Sequence, residues 1–228
     1  MNSTASNPQS KLYAFEAGAR AIKAHIERVG KSLPIEKIDK GVDYGIYHKY
    51  FIMEDKPLLS IIIPNKDHRE DLDLAIRSIM TKSSYKNIEF IVVENNSTDK
   101  KTFDYYDKIQ KEFDNVKVVR WEREFNYSLI NNFGVNFANG EYLFFLNNDI
   151  ELINPTSIEE MMWYAVREDV GIVGARLLYN DDTIQHAGVV IGFGGVAGHT
   201  FIGLSEVENS YFHRALTLQD YSAVTAAA

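Results

Sequence analysis

The sequence predicts an α/β protein whose mostly parallel sheet is flanked by helices. From residue 57 onward, apolar stretches of strand length alternate with amphipathic helices, an order typical of parallel sheets with right-handed crossovers. The apolar stretches are continuous, as in strands that are buried on both faces. Several of them end directly in polar residues, and open α/β sheets bind their ligands at that edge.

Residues 1–56 are expected to form an appendage that precedes the α/β domain of residues 57–228. Residues 1–10 are polar and small, so we expect them to be disordered. Apolar residues then recur at steps of three and four, which predicts an amphipathic helix that ends near Gly30. These residues are Phe15, Ala19, Ile22, Ile26 and Val29. Residues 31–56 show no clear period and are interpreted as a linker, which could also pack on the main domain.

Two strand–helix units and a third strand open the domain. The first strand is predicted at residues 58–63 and is stopped by Pro64-Asn65. The helix after it carries an apolar stripe of Leu72, Ala75, Ile76 and Ile79. A second strand at residues 88–93 is followed by a helix whose stripe consists of Phe103, Tyr106, Ile109 and Phe113. The third strand covers residues 116–119.

The alternation continues through the next part of the chain. Ser128 is expected to cap a helix, and Asn139-Gly140 to end it. The apolar residues of that helix are Ile130, Phe133 and Phe137. The elements predicted after it are a buried strand at residues 142–146, a helix at residues 158–166 and a strand at residues 170–173. From Tyr179 onward the chain is rich in glycine and the pattern loosens.

Three of the predicted strands end in polar clusters, which are residues 65–67 (Asn-Lys-Asp), 94–96 (Glu-Asn-Asn) and 147–149 (Asn-Asn-Asp). In a parallel sheet these clusters share one edge, where they would line a ligand crevice. Taken alone, Asn-Asn-Asp suits a turn as well as a site. Asp99 is expected to cap the helix after the second strand, and Asp67 the helix after the first.

The residue types in these clusters favour a nucleotide diphosphate bridged by a metal ion. The sequence contains neither the glycine-rich dinucleotide fingerprint nor the P-loop pattern, which disfavours both of those phosphate cradles. Glu94 and the amides beside it suit hydrogen bonds to a base or ribose. Asp149 offers a hard oxygen ligand for Mg²⁺ or Mn²⁺, with phosphate oxygens completing the shell.

Composition narrows the class of protein. The formal net charge of −8 argues against broad nucleic-acid binding, so no nucleic-acid partner is expected. The absence of cysteine excludes disulfides, thiolate metal sites and a cysteine nucleophile. The first residues lack the order of a signal peptide, and no apolar stretch has the length of a membrane span. We therefore expect a soluble, cytoplasmic protein, which is compatible with peripheral membrane contact.

Four segments, in order, resemble the family 2 glycosyltransferases of the GT-A fold. They are residues 60–65 (SIIIPN), 91–99 (IVVENNSTD), 131–134 (NNFG) and 140–149 (GEYLFFLNND). The resemblance runs from about residue 58 to residue 150 and continues more loosely to residue 228. It is specific for the fold and the class of donor, and it leaves the sugar open.

The resemblance implies metal-assisted, inverting transfer of a sugar from a nucleotide-diphosphate donor, UDP- or dTDP-linked, to a glycan or polysaccharide acceptor. Donor-binding positions of the family match Pro64, Asn65, Glu94, Asn96, Asn132, Asn147, Asn148 and Asp149. Asp149 matches the last acid of the D-x-D motif, which binds Mg²⁺ or Mn²⁺. A downstream histidine completes the metal shell in some GT-A enzymes, a role that His199 or His186 could fill.

Two matches differ from the pattern of the family. Glu94 stands where an aspartate usually contacts the base or ribose, and its longer side chain moves the acceptor outward. Asn147 and Asn148 replace acids, which lowers the local negative charge and predicts weaker metal binding. Arg123 is a weaker candidate for a phosphate contact, because it lies in a charged stretch that suits solvent.

The family also implies a general base beyond the D-x-D strand, in an acidic motif near the start of a helix. Glu206, Glu208 and Asp220 lack that context, so we expect the chain to be truncated before this motif and to transfer sugar poorly by itself. Two alternatives stay open, which are a non-catalytic domain that binds nucleotide sugars and a nucleotidyltransferase. The second is disfavoured because the loop after the first strand has no glycine.

Overall fold

The computed structural model describes residues 12–208 and 210–228. The disorder expected for residues 1–10 therefore lies outside the described residues. The chain divides into two compact units, one with residues 12–55 and 162–171 and the other with residues 56–161 and 172–228. In the part of the chain that the structure describes, no helix is long and apolar enough to cross a membrane.

The first unit contains a helix and a hairpin. Helix α1 (Leu12–Val29) ends at Gly30, whose positive φ of 68° closes the helix as the sequence predicts. Strands β1 (Ile35–Lys40) and β2 (Tyr47–Phe51) pair antiparallel. The hairpin has no counterpart in the sequence prediction, because its strands are mostly charged and aromatic and only one position of β1 is buried.

The second unit is built on a four-stranded parallel sheet. Its strands are β3 (Leu59–Asn65), β4 (Ile88–Glu94), β5 (Val116–Arg120) and β6 (Tyr142–Phe145), in the order β5-β4-β3-β6. This arrangement confirms the predicted α/β class. The two central strands, β3 and β4, are almost entirely buried, as their continuous apolar sequences predict.

Strand β6 corrects one expectation. Its sequence predicts burial on both faces, yet Leu143 is 40% exposed and the neighbouring positions are only half-buried. Among the described strands, β6 pairs with β3 alone, so it lies at the margin of the sheet. The expectation was wrong because an apolar run indicates a strand with buried positions, and it does not show how much of each face the neighbouring elements cover.

Four helices follow these strands along the chain: α2 (Arg69–Lys82), α3 (Lys100–Glu112), α4 (Tyr127–Val135) and α5 (Ser157–Ala165). The first three belong to the second unit, and α5 is divided between the two units at residue 162. The predicted stripe of α2 is buried at Leu72, Ala75, Ile76 and Ile79. The Asp99 carboxylate accepts a hydrogen bond from the Lys101 amide at 2.9 Å and caps α3, as predicted.

Helix α4 has different ends from those predicted. Asn126, in extended backbone, accepts a hydrogen bond from the Leu129 amide at 3.0 Å and is the N-cap residue. Ser128, the predicted cap, already lies in the first turn. The helix ends at Val135, before the predicted stop at Asn139-Gly140. Asn, like Ser, is a strong N-cap, so sequence alone did not decide between these two nearby candidates.

Two glycines allow close approaches to the sheet. A Cβ atom on Gly134 would lie 2.7 Å from Cγ2 of Ile62, which shows how tightly α4 packs on the central strands. A Cβ atom on Gly140 would lie 2.5 Å from the Leu58 carbonyl oxygen. The Gly140 amide donates to Ser60 Oγ at 2.9 Å, so this glycine brings the start of β6 against β3.

The chain after α5 forms short antiparallel pairs. They are β7 (Leu177–Leu178) with β8 (Ile184–His186), and β9 (Val189–Ile191) with β10 (Ala197–His199). The strand predicted at residues 170–173 does not form, and Ile172 is 79% exposed. A short apolar run forms a strand only where another strand pairs with it, and none of the described strands pairs with residues 170–173.

Candidate functional site

The carboxyl ends of β3, β4 and β6 come together at one edge of the sheet. Asn65 and Glu94 are register partners at the ends of β3 and β4. Asn148, just beyond β6, donates from Nδ2 to Oδ1 of Asn65 at 2.7 Å. The predicted meeting of the three polar clusters on one edge is thus confirmed by direct contacts.

A buried tyrosine connects two of these strand ends. Tyr106, on α3, accepts a hydrogen bond from Asn65 Nδ2 at 2.7 Å and donates to Glu94 Oε2 at 2.6 Å. Burial, together with the hydrogen bond to Glu94, raises the pKa of the Tyr106 hydroxyl. The spacing of apolar residues predicts Tyr106 only as a member of the apolar stripe of its helix, and no pattern in the sequence indicates the role of its hydroxyl group.

The Glu94 carboxylate is enclosed in its own loop and is 3% exposed. It accepts hydrogen bonds from the Ser97 amide at 2.5 Å, from Ser97 Oγ at 2.6 Å and from the Tyr106 hydroxyl. Both of its oxygens therefore have partners within the protein. The side chain turns inward, and its contact with a base or ribose stays a prediction.

The two asparagines after Glu94 hold the loop against the chain beyond β5. Asn95 Nδ2 donates to the carbonyl oxygens of Trp121 and Arg123, at 3.2 and 3.0 Å. Asn96 Nδ2 donates to the Arg123 carbonyl at 2.9 Å, and Asn96 adopts a positive φ of 56°. The Arg123 guanidinium lies 5.3 Å from the centre of the Trp121 ring. These contacts fix the loop and leave the exposed Asn96 beside the edge of the sheet.

Asp67 connects the loops after β3 and β4. Its carboxylate accepts hydrogen bonds from the Thr98 and Asp99 amides at 2.8 and 2.9 Å. The hydrogen bond from the Asp99 amide is the main cause that lowers the pKa of Asp67. The expectation that Asp67 caps α2 is wrong, because its side chain turns to the neighbouring loop and His68 is the N-cap residue.

The cluster after β6 presents its acid to solvent. Asp149 is exposed, whereas Asn147 and Asn148 are partly buried. The Asn147 amide donates to the Ala227 carbonyl at 2.9 Å. Because Asn148 donates inward from Nδ2, its Oδ1 atom is directed away from Asn65.

Two further predicted donor-binding residues flank this edge. Pro64 is partly buried and lies beside Val93 in the register of β3 and β4. Asn132 is exposed on α4, and its backbone carbonyl accepts a hydrogen bond from Asn136 Nδ2 at 3.0 Å. Their contacts with a donor stay predictions.

The oxygen atoms at this edge fit a divalent ion that takes few ligands from the protein. The exposed Asp149 carboxylate and the Asn148 amide oxygen are hard donors of the type that Mg²⁺ and Mn²⁺ prefer. Across residues 12–208 and 210–228, no three His, Asp or Glu side chains are grouped so that they could hold a metal ion. Such a donor set suits an ion that shares the oxygens of a diphosphate.

His199, the other predicted metal ligand, pairs with His186. Their Nδ1 atoms lie 2.8 Å apart, and His186 is 2% exposed. His186 Nε2 accepts hydrogen bonds from the Gly188 and Thr225 amides, each at 3.3 Å, so Nδ1 of His186 carries the proton that reaches His199. Burial, and secondarily the neighbouring His199, lowers the pKa of His186. Nδ1 of His199 then accepts, so Nε2 carries the proton of the neutral ring, and neither nitrogen offers a lone pair to a metal ion while this hydrogen bond is made. The metal role of His199 stays a prediction that requires this hydrogen bond to break.

Comparison with known proteins assigns the family. Residues 60–207 match the sequence profile described as Glycosyl transferase family 2, which covers more than half of the chain. The chain belongs to this family. The resemblance carried by residues 60–149 is thereby confirmed, and the site lies within the matched region.

Two relatives cover most of the chain. An uncharacterized protein of Sinorhizobium fredii is 43% identical over 226 residues, which are 99% of this chain and 24% of that protein. An O-antigen biosynthesis protein of Myxococcus xanthus is 36% identical over 195 residues, which are 85% of this chain and 15% of that protein. The chain thus spans a quarter or less of the length of these relatives.

A solved structure supports the GT-A fold. It is a mannosyltransferase from Pyrobaculum calidifontis in complex with GDP-Man and Mn²⁺, with 15% sequence identity and a TM-score of 0.50. The match covers 76% of this chain and 47% of the mannosyltransferase. At 15% identity the likeness is evidence for the fold alone, and it confirms the predicted GT-A fold.

Proposed function

We propose that this chain supplies the donor site of a glycosyltransferase that moves a sugar from a nucleotide-diphosphate sugar to a glycan or polysaccharide. The observation that carries this proposal is the contact between the strand ends, where Asn148 meets Asn65 and Asn65 connects through Tyr106 to Glu94. Membership of Glycosyl transferase family 2 supports the reaction class. The O-antigen biosynthesis relative supports a polysaccharide as the product.

We assign the donor as UDP- or dTDP-linked, and the transfer as inverting. The nucleoside would lie against the loop at Pro64 and Asn65, where Pro64 is partly buried and Asn65 is 3% exposed, with the exposed Asn96 as a further hydrogen-bonding group. Asn132, exposed on α4, would approach the donor from the helix side. The solved mannosyltransferase holds GDP-Man, so a guanine nucleotide belongs in the same test.

Asn148 and Asp149 would hold Mg²⁺ or Mn²⁺ against the diphosphate. The bound ion would offset the negative charge of the departing nucleoside diphosphate. Asp149 contributes a carboxylate that solvent reaches freely, and Asn148 contributes an amide oxygen whose direction is fixed by its hydrogen bond to Asn65. With a single carboxylate in the set, the protein alone would hold the ion weakly, and the nucleotide would supply the remaining charge.

Titration calorimetry on the whole chain tests the donor site. UDP, dTDP and GDP are each titrated with and without Mn²⁺, and we expect UDP or dTDP to bind more tightly when Mn²⁺ is present. Asp149→Ala should lower the affinity for UDP or dTDP in the presence of Mn²⁺ by at least about tenfold, equivalent to roughly 1.4 kcal/mol. Asp114→Ala is the matched control, because Asp114 is an exposed acid before β5, at the opposite edge of the sheet.

The outcomes separate the parts of the proposal. Failure of all three nucleotides to bind, or equal binding by wild type and Asp149→Ala, would overturn the donor site. Binding of GDP alone would overturn the assignment of the base and keep the site. A second candidate, binding of a nucleotide sugar without transfer, is favoured by the amides of Asn147 and Asn148 in place of acids. Mn²⁺-dependent binding of a nucleotide sugar without transfer of the sugar would support it.

A further inference from the structure

We propose that Tyr106 is a positioning residue for the donor site, which orients the side-chain amide of Asn148 through Asn65. Tyr106 lies on α3 and is 4% exposed, so it acts from beneath the edge of the sheet. The proposal rests on the proposed donor site, because it concerns the group that Asn148 presents there. It extends that function by adding a residue outside the three strand-end clusters.

The four side chains Glu94, Tyr106, Asn65 and Asn148 form a hydrogen-bond chain, and the chemistry of their groups gives this chain one direction. The Glu94 carboxylate only accepts, so the Tyr106 hydroxyl donates its proton to Oε2. The Tyr106 oxygen is then an acceptor and takes the Nδ2 proton of Asn65. Oδ1 of Asn65 therefore faces Asn148, which must donate from Nδ2. Each step follows from the previous one, so the buried acid decides which end of the Asn148 amide faces inward.

The inner end of the hydrogen-bond chain, Glu94 and Tyr106, has rigid surroundings. Ser97 donates to both oxygens of Glu94, which keeps the carboxylate from turning. The ring of Tyr106 is edge-on to the partly buried ring of Phe103, 6.1 Å away, and Tyr106 lies in the buried stripe of α3 with Thr102 and Ile109. Tyr106 thus has little freedom, and its hydroxyl can fix the orientation of Asn65.

At the outer end of the hydrogen-bond chain, the orientation of the Asn148 amide decides which atom faces the donor site. With Nδ2 of Asn148 bound to Asn65, the amide offers its oxygen elsewhere, beside the exposed Asp149. An oxygen suits a divalent ion or a ribose hydroxyl, whereas the NH₂ group would repel an ion. Loss of the Tyr106 hydroxyl leaves Asn65 Nδ2 without its partner and lets both amides turn.

Tyr106→Phe tests this role on the whole chain. We expect the Mn²⁺-dependent gain in UDP or dTDP affinity to fall about tenfold, the usual effect of one lost hydrogen bond in a buried network. Nucleotide binding without Mn²⁺ should change less. Tyr85→Phe is the matched control, since Tyr85 is also buried in this unit. Its hydroxyl donates to the Pro57 carbonyl and takes no part in the hydrogen bonds that connect Glu94 to Asn148.

Side-chain amide NMR gives a second measurement that needs neither metal nor nucleotide. In wild type, the Nδ2 protons of Asn148 should exchange with water more slowly than those of the exposed Asn132. Tyr106→Phe should shift the amide signals of Asn65 and Asn148, and Tyr85→Phe should leave them in place. The wild-type comparison applies even if the Tyr106 variant does not fold.

Several results would overturn the proposal. They are equal exchange of the Asn148 and Asn132 amides in wild type, unchanged Asn148 signals in Tyr106→Phe, an equal loss of nucleotide affinity with and without Mn²⁺, or the same loss in Tyr85→Phe. In a cycle with Asn148→Ala, Tyr106→Phe should cause no further loss of the Mn²⁺-dependent gain. If wild type binds none of UDP, dTDP and GDP, the proposed function fails, and the amide signals still decide whether Tyr106 orients Asn148.

Discussion

Replacing the buried acid of the site separates a structural role from direct contact with the donor. Glu94→Gln keeps the size of the side chain and removes its charge. The Glu94 carboxylate accepts three hydrogen bonds, two from Ser97 and one from Tyr106. Gln cannot reproduce all three, because its NH₂ group must occupy one of the two acceptor positions.

The three hydrogen bonds give the size of the effect. A hydrogen bond to a charged group contributes about 1.5–3 kcal/mol, against about 0.5–1.5 kcal/mol for a neutral one. Three such changes amount to roughly 3 kcal/mol, and relief from burying a charge offsets part of it. We expect a net loss of about 2 kcal/mol in the free energy of unfolding, or about 4–8 °C in Tm for a chain of this length.

Thermal unfolding followed by circular dichroism at pH 7 measures this loss, beside a UDP titration of the same samples. Glu122→Gln is the control, since Glu122 is exposed and lies beyond the neighbouring strand β5. It should change stability by less than about 0.5 kcal/mol. A Glu94→Gln variant as stable as wild type, with weakened UDP binding, would refute the structural role and favour direct contact with the donor.

Two further predictions concern packing and pH. Gly134→Ala should lower stability by about 1–2 kcal/mol in urea unfolding, because its Cβ would meet the Ile62 and Val93 side chains at 2.7 and 2.9 Å; unchanged stability would contradict the close packing of α4. Asp67→Asn should be less stable than wild type at pH 7, since the folded protein lowers the pKa of Asp67 below its usual 3.8. That stabilisation is present above the usual pKa and is lost as the pH falls through the lower folded value, so the gap in Tm should close in strong acid; a constant gap would contradict it.

The fold of the second unit could be predicted because its apolar patterns are strong. The stripe of α2 and the continuous apolar runs of β3 and β4 have few alternatives, and their burial agrees with the sequence. The meeting of the strand ends follows from parallel pairing, so Asn65, Glu94 and Asn148 were found together by topology alone.

Other features depend on contacts that one sequence does not encode locally. The β1–β2 hairpin has a single buried position in β1, and Lys37 lies over the Tyr50 ring at 4.2 Å, so no apolar period marks it. The run at residues 170–173 has the composition of a strand and lacks a strand to pair with. Tyr106 has the period of a core residue, and only the three-dimensional structure shows where its hydroxyl points.

The hydrogen-bond chain from Asn148 to Glu94 restricts how this edge of the sheet can change during evolution. Asn148 and Asn65 are 83 residues apart and Asn65 and Tyr106 are 41 apart, yet each must offer a donor where its neighbour offers an acceptor. A substitution at one position therefore breaks a match at a distant one. A compensated change must therefore replace a donor together with the acceptor that it faces, and the four positions are expected to vary as a group.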